Sequence, residues 1–382
     1  MKKKMDAVIR YMREADMLLL ALCVISTVYG IILIDSAVRS TGSFSNVITQ
    51  IISLVIGIAL FVLFSLLDVD VMADKSKILY VLSLLFISTL FIWGVEGGTG
   101  NRAWLRFGSF GIQPAEVVKI PFTIIMAKMI SNFKERRTLN ATMPLLQIMA
   151  VFGVMFLFII VSSQDLGSAL VYFFILFMML FIAGLDFRWM IIGGGLLAAF
   201  IPLAWNFFLS AYQKARILAP YDPTIDPSGL TVNWQSSQSK IAIAAGNFLG
   251  QGLFNGPMTQ SGAVPKQYTD FVFSVAGEEL GFLGSLAIII LLMAIIIRCV
   301  YVGIRSNNTI GLLVCFGLAA MLLFQTLENI GMCLGLTPVI GLTLPFFSSG
   351  GSSIVTMFAA MGIISGIKMR PKPTRFRGLD NY

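Results

Sequence analysis

The sequence predicts an all-α polytopic membrane protein, and three observations lead to that fold class. Of its 382 residues, 57% are hydrophobic and 12% are charged, about half the charge that soluble domains usually carry. The apolar residues form runs of roughly 18 to 24, the helix length that crosses the hydrocarbon core of a bilayer. The basic residues are spread unevenly over the segments between these runs. A soluble fold is excluded because the chain has too few polar residues to cover its surface.

Ten transmembrane helices account for the apolar runs. The predicted spans are 17–35, 46–67, 77–94, 113–131, 143–161, 168–185, 189–209, 274–297, 309–330 and 350–367. With both termini in the cytoplasm, 18 of the 27 basic residues lie on the inner side and 7 on the outer side. This bias follows the positive-inside rule. The net charge of +8 is therefore a signal of topology, and we expect no nucleic-acid partner.

The chain is predicted to be a single transmembrane domain, residues 1–382, with one large extracytoplasmic loop. That loop, residues 210–273, joins helices seven and eight, and we expect it to carry part of the site because long structured loops often hold function. Its segment QSKIAIAAGNFLGQGLFNG is typical of an amphipathic or re-entrant segment at the membrane surface. Residues 368–382 form a basic cytoplasmic tail.

Histidine is absent from the sequence, which excludes whole classes of chemistry. Ser-His-Asp triads, Cys-His pairs, histidine zinc sites and histidine-ligated haem all need that side chain. The four cysteines are far apart in or beside apolar runs, so we expect buried thiols and no metal cluster: Cys23, Cys299, Cys315 and Cys333. The available chemistry is that of carboxylates, Lys, Arg and backbone groups.

Several ionisable residues lie at membrane depth, where a charge is costly and a paired or functional role is the default hypothesis. Glu116 and Lys119 are three residues apart, on one face at the outer end of the fourth span. Asp165, between the fifth and sixth spans, is a candidate partner for Lys119. These three charges either dock helices as a structural ion pair or belong to a functional site, and the sequence leaves both readings open.

Further candidates lie at the outer ends of the last three spans. Asp270 precedes the eighth span, where a carboxylate serves either as a helix cap or as a catalytic group. Glu278 and Glu279 are interpreted as helix-start charges, and Glu328 as a residue that faces a polar cavity. The segment PFFSSGGSS, which contains Ser348 and Gly350, offers backbone N–H groups before a helix that can hold a phosphate, or else packs closely as a loop.

Five segments, in order, resemble one protein family. They are NRAWLRFGSFGIQPAEVVKI, QDLGSAL, NWQSSQSKIAIAAGNFLGQGLFNG, VPKQYTDFVFSVAGEELGFLG and TPVIGLTLPFFSSGGSS. These are similar to the signature segments of the SEDS proteins (shape, elongation, division and sporulation). The resemblance runs from the first span to the last, and QSKIAI with the TQS before VPKQ is most similar to the RodA branch. A role like that of FtsW or SpoVE stays open.

The resemblance implies a peptidoglycan glycosyltransferase in the bacterial cytoplasmic membrane. Such an enzyme polymerises undecaprenyl-pyrophosphate-linked lipid II into β-1,4-linked glycan strands at the outer face, for cell-wall elongation and rod shape, with a class B penicillin-binding protein as partner. The implied general base is Asp270, since no histidine is available. The residues expected to bind substrate or pyrophosphate are Arg102, Trp104, Arg106, Glu116, Lys119, Asp165, Lys266, Ser348 and Gly350. No cofactor is implied, and a role for a divalent cation stays open.

The sequence departs from the family pattern at several motif positions. Gln164 stands where the family commonly has Pro, Lys266 replaces an acidic residue, and Ser349 replaces a tyrosine. Lys266 is four residues before Asp270, where its charge either lowers the pKa of that carboxyl or contacts a phosphate. Two alternatives therefore accompany the glycosyltransferase prediction: a lipid II flippase, and an inactive scaffold for a transpeptidase.

Overall fold

The computed structural model describes residues 2–39, 44–95, 102–107, 110–207, 209–222 and 224–370. In these ranges the chain forms seventeen helices and one hairpin of two short strands. Most of the predicted basic tail, residues 371–382, lies outside the described residues. The four cysteines are buried, as the sequence predicts.

Nine helical segments of the described chain are long and apolar enough to cross a membrane. They are α2 (Met17–Val38), α3 (Ser45–Leu66), α5 with α6 (Ser76–Ser88 and Leu90–Trp93), α8 (Thr142–Ser163), α9 (Leu166–Ala183), α10 (Phe187–Phe207), α15 (Gly281–Ile304), α16 (Thr309–Cys333) and α17 (Gly351–Met369). The all-α polytopic membrane fold is thus confirmed. The exact count of ten spans and the cytoplasmic placement of both termini remain predictions.

The helix at the predicted fourth span is α7 (Pro114–Glu135). Its 22 residues correspond to roughly 33 Å of helix, but it is less apolar than the other nine because it carries Glu116, Lys119 and Lys128. Packing replaces lipid around it: α7 contacts α5, α9 and α16, and most of its first four turns are buried. Glu116 and Lys119 are therefore enclosed by protein.

Shorter elements join the long helices. They are α1 (Lys2–Glu14), α4 (Val69–Asp74), β1 (Leu105–Phe107), β2 (Phe110–Ile112), α11 (Ala211–Leu218), α12 (Trp234–Gly246), α13 (Pro257–Gln260) and α14 (Val272–Glu279). The two strands pair antiparallel, with Leu105 opposite Ile112. The predicted surface segment of the large loop begins in α12, which packs against α14.

The eighth span does not run unbroken over 274–297 as the sequence predicts. Helix α14 ends at Glu279 and α15 begins at Gly281, whose φ of +65° belongs to the left-handed region that glycine tolerates. A Cβ at Gly281 would lie 2.4 Å from the Gly250 backbone nitrogen. The break therefore permits a close approach between this turn and the loop that follows α12.

Candidate functional site

Asp270 lies two residues before α14, where its main chain is fixed from the opposite side by α16. The side-chain amide nitrogen of Asn329 donates to the Asp270 carbonyl oxygen over 2.8 Å and to the Leu342 carbonyl oxygen over 2.7 Å. Since one amide binds both segments, Asp270 and the loop around residue 342 keep a fixed spacing. The carboxylate packs beside Gly341, whose added Cβ would lie 3.5 Å from Oδ2.

The Asp270 carboxylate is mostly buried, and its residue is only 8% exposed. Lys266 Nζ lies 3.9 Å from Asp270 Oδ2. Burial raises the pKa of Asp270 above its usual value, although the positive charges of Lys266 and Arg216 oppose that shift. A carboxyl of this kind holds a proton more strongly than an exposed one, which is the property that proton abstraction requires.

Glu116 and Lys119 form a buried ion pair in the first turns of α7. Their predicted position on one helix face is confirmed. Lys119 Nζ donates to Glu116 Oε1, whereas Glu116 Oε2 has no hydrogen-bond partner among the described residues. Pro114 begins this helix at a position where its missing N–H is not needed, and the helix dipole favours Glu116 in the first turn.

Asp165 does not pair with Lys119, contrary to the sequence-based prediction. Its carboxylate caps α9 instead, accepting from the Ser168 backbone nitrogen over 3.1 Å and from the Ser168 hydroxyl over 2.7 Å. The remaining contact comes from Gln113, whose side-chain nitrogen lies 3.0 Å from Asp165 Oδ2. The physical reason is local: Glu116 already holds the Lys119 ammonium, and an N-cap position satisfies a carboxylate with its own helix.

The segment of residues 345–353 joins these two groups of residues. Ser349 donates its backbone N–H to the Tyr268 carbonyl oxygen over 2.9 Å, two residues before Asp270. Three residues further on, the Ser352 hydroxyl accepts from the Gln113 backbone nitrogen over 3.4 Å. The start of α7 and the Asp270 turn are therefore parts of one site.

Backbone N–H groups of this segment already have protein acceptors. Ser348 N donates to the Leu344 carbonyl over 3.0 Å, and Gly350 N donates to Gln50 Oε1 over 3.2 Å. Gln50 also donates to the Ser348 carbonyl over 2.9 Å. These bonds would have to open before the N–H groups of Ser348 or Gly350 could hold a phosphate, so their phosphate role stays a prediction.

The three remaining candidates lie on and beside the hairpin that precedes α7. Arg102 and Arg106 are exposed, and neither is among the charged groups that act on Asp270. Trp104 is half-buried and packs on Gly111, and its backbone bridges Val95. This packing gives Trp104 a structural part in the hairpin, while its predicted contact with substrate stays a prediction.

Sequence reasoning missed some residues of the site and misread others. Arg216 on α11 was overlooked, although its charge acts on Asp270. The interpretation of Glu278 and Glu279 as helix-start charges is wrong, because both are fully buried at the end of α14. Two adjacent acids in an apolar membrane chain are the signal that could have marked them. Glu328, on α16 beside Asn329, is buried.

No group of three or more His, Cys, Asp or Glu side chains that could hold a metal ion occurs in the described part of the chain. The groups around Asp270 are two carboxylates, Asp165 and Glu328, and two cations, Lys266 and Arg216. The arrangement is suited to proton transfer at a carboxylate and to the binding of a negatively charged group by nearby cations.

Comparison with known proteins adds independent information. Residues 13–372 match the family model FTSW_RODA_SPOVE, described as a cell cycle protein. The chain is 31% identical over 360 residues to the peptidoglycan glycosyltransferase MrdB of Escherichia coli (strain K12), covering 94% of each chain. It is also 31% identical over 369 residues to a probable peptidoglycan glycosyltransferase FtsW of Geobacter metallireducens, covering 94% of this chain and 96% of the relative.

Two solved structures are similar over most of their length. One chain of a peptidoglycan synthase complex, described in terms of coordinated polymerization and crosslinking, has a TM-score of 0.77 and 28% identity, covering 93% of this chain and 97% of that one. The rod shape determining protein RodA of Thermus thermophilus has a TM-score of 0.66 and 26% identity, covering 93% and 96%. The structural likeness thus covers most of the chain.

Proposed function

This chain belongs to the FtsW/RodA/SpoVE family, and from that premise we propose that Asp270 is the general base with which it polymerises lipid II. The chain is a peptidoglycan glycosyltransferase and a multi-pass protein of the inner membrane. The observation that carries the base assignment is a buried carboxylate, fixed through its main chain, with one lysine ammonium at 3.9 Å. Its burial and its limited pairing leave it able to take up a proton.

In the proposed reaction the acceptor hydroxyl of one glycan attacks the anomeric carbon of another. Asp270 takes the hydroxyl proton as the new C–O bond forms, and the bond from the anomeric carbon to the pyrophosphate oxygen breaks with its electron pair. A single displacement of this kind inverts the anomeric centre. It converts the α-linked pyrophosphate donor into the β-1,4-linked product, so one carboxylate on the attacking side is enough.

The departing pyrophosphate needs positive charge close to where it leaves. Lys266 and Arg216 are the cations that act on the Asp270 carboxylate, and this supports them as the pyrophosphate-binding residues. Lys119 is engaged by Glu116, which supports a structural part at the start of α7 instead. Arg102 and Arg106, which are exposed beside and on the hairpin, are proposed to bind the negatively charged substrate headgroup as it approaches.

A partner transpeptidase is the remaining part of the proposal. The similar synthase complex coordinates polymerization and crosslinking, and glycan strands must be crosslinked to form a wall. We therefore place this chain with a class B penicillin-binding protein in cell-wall elongation. The long helices expose many large apolar side chains, and we propose that these side chains contact membrane lipid.

The test is polymerisation of lipid II by the purified chain with its partner, followed on a gel that separates glycan strands. We expect a ladder from the wild type and none from Asp270→Asn. A ladder of normal intensity from Asp270→Asn would refute the base assignment. Movement of lipid II across vesicles by a wild type that makes no polymer would instead favour a flippase, and loss of both would favour a scaffold.

A further inference from the structure

Glu278 and Glu279, at the end of α14, are fully buried and make an unusual set of hydrogen bonds. Glu278 Oε1 accepts from the Met258 backbone nitrogen over 2.7 Å. Its Oε2 accepts from the Thr259 backbone nitrogen over 2.8 Å and from the Thr259 hydroxyl over 2.6 Å. One carboxylate therefore receives three hydrogen bonds from two consecutive residues of α13.

The neighbouring Glu279 binds the same turn and a second helix. Its Oε1 accepts from the Ser36 hydroxyl of α2 over 2.7 Å and from the Gln260 side-chain nitrogen over 3.0 Å. Gly256 N is a longer donor at 3.4 Å. The turn of residues 256–260 is thus held between the end of α14 and the end of α2.

These contacts are made at an electrostatic cost. In the part of the chain that the structure describes, neither Glu278 nor Glu279 forms an ion pair with Lys or Arg. Burial of a carboxylate without a counter-charge is unfavourable, and neutral donors offset only part of it. Apolar residues would pack these helices at lower electrostatic cost. The presence of two glutamates is therefore better explained by their hydrogen bonds, which fix the 256–260 turn relative to α2.

The Gln267 side chain connects the 256–260 turn and α2 to the segment that bears Asp270. Gln267, next to Lys266, donates its amide nitrogen to the Ala37 carbonyl over 2.6 Å and to the Thr259 carbonyl over 3.0 Å. The acceptors are the immediate neighbours of Ser36 and Gln260, which bind Glu279. Three residues after Gln267 comes Asp270, so the base is located from this side as well as by Asn329.

We propose that Glu278 and Glu279 are positioning residues, which hold the 256–260 turn against α2 and thereby place the Lys266–Asp270 segment for reaction. The proposal rests on the proposed function of Asp270. Glu278 fixes the turn, Glu279 joins it to α2, and Gln267 transfers that position to the segment that bears the base.

The experiment compares Glu278→Gln and Glu279→Gln with the wild type in steady-state polymerisation of lipid II. A glutamine keeps the size but presents an NH2 group to donors, so the turn loosens. Misplacement of a catalytic group by about 1 Å costs on the order of 100-fold in rate, and we expect kcat to fall about tenfold to 100-fold while KM stays unchanged. Hydrogen exchange of the amides in 256–270 should accelerate in both variants.

Three further variants make the outcome decisive. Glu135→Gln changes an exposed residue whose carboxylate accepts from the Ser131 hydroxyl; it is the control and should leave kcat and exchange unchanged. Glu278→Asp keeps a carboxylate and should have a higher kcat than Glu278→Gln. If the two variants have the same melting temperature, a loss of stability cannot explain that difference. Normal kcat in both glutamine variants, or a rise in KM at constant kcat, would overturn the positioning role. Asp270→Asn tests the base assignment separately, and an active Asp270→Asn variant would show that assignment to be wrong. Hydrogen exchange of 256–270 that is unchanged in the Glu278→Gln and Glu279→Gln variants would independently reject the positioning role.

Discussion

Two buried aspartates at different places in the bundle differ in how completely their negative charge is compensated. Asp16 begins α2 and is fully buried, with Arg298 Nε at 2.8 Å and Lys368 Nζ at 3.6 Å. It also caps its helix through the Leu19 backbone nitrogen. Asp270 is nearly as buried, yet its one ion-pair contact among the described residues is Lys266 at 3.9 Å.

The two carboxylates differ in how much positive charge lies beside them. Two cations and a helix N-terminus compensate the charge of Asp16, so its carboxylate joins α2, α15 and α17. Burial dominates at Asp270 and raises its pKa. We propose that this incomplete pairing distinguishes Asp270, the proposed base, from the structural Asp16.

The largest effect should come from Asp270→Asn. Removal of a general base typically lowers a rate by about 10²- to 10⁴-fold, and the amide preserves the shape of the side chain. We expect kcat for lipid II polymerisation to fall by that factor while the melting temperature stays close to that of the wild type. Loss of folded protein in place of lost turnover would make Asp270 a structural residue like Asp16.

Lys119→Met should have the next largest effect, on stability. It leaves Glu116 buried without its cation, and removal of one partner from a buried pair costs about 3–5 kcal/mol. Chemical denaturation in detergent measures the free energy of unfolding. The double variant Glu116→Gln with Lys119→Met removes the stranded charge and should recover part of the loss. A double variant less stable than Lys119→Met would contradict this explanation.

The bundle and the site differ in how far the sequence predicts them. Hydrophobic runs mark the long helices because lipid and core packing both select apolar residues over a fixed length. The Glu116–Lys119 pair follows from helical spacing alone. The position of Asp270 before a helix made it a candidate cap or catalytic group, and only the motif resemblance made it the implied base, since an aspartate before a helix is common for structural reasons.

What the sequence could not predict depends on contacts between distant segments. Arg216 acts on Asp270 across 54 positions of the chain, and no local pattern encodes that approach. The break at Gly281 follows from the close packing of another loop against it. Asp165 is the opposite case, because a cap within its own helix outcompeted the long-range partner that was predicted.

Asp16→Asn applies to Asp16 the same substitution that tests Asp270, the proposed base. The variant weakens the hydrogen bond from Arg298 Nε, and hydrogen bonds to charged groups contribute about 1.5–3 kcal/mol. We expect the free energy of unfolding to fall by about that amount, with kcat per folded molecule unchanged. A fall in kcat without a fall in stability would mean that Asp16 and Asp270 do not differ in the proposed way.

Lys266→Met should have the smallest effect on stability, because a partly exposed ion pair at 3.9 Å contributes little to folding. Loss of its proposed pyrophosphate contact should lower kcat, whereas the pH dependence of kcat probes its pairing with Asp270 directly. The base must be ionised to act, so activity is lost as the pH falls through the raised pKa of Asp270. The charge of Lys266 lowers that pKa, and its removal raises it further, so the acid limb of the kcat profile should move to higher pH. Lys75→Met, an exposed lysine beside α4, is the control and should leave the limb in place. A limb that moves to lower pH, or stays fixed in Lys266→Met, would show that the 3.9 Å contact does not govern the proton affinity of Asp270.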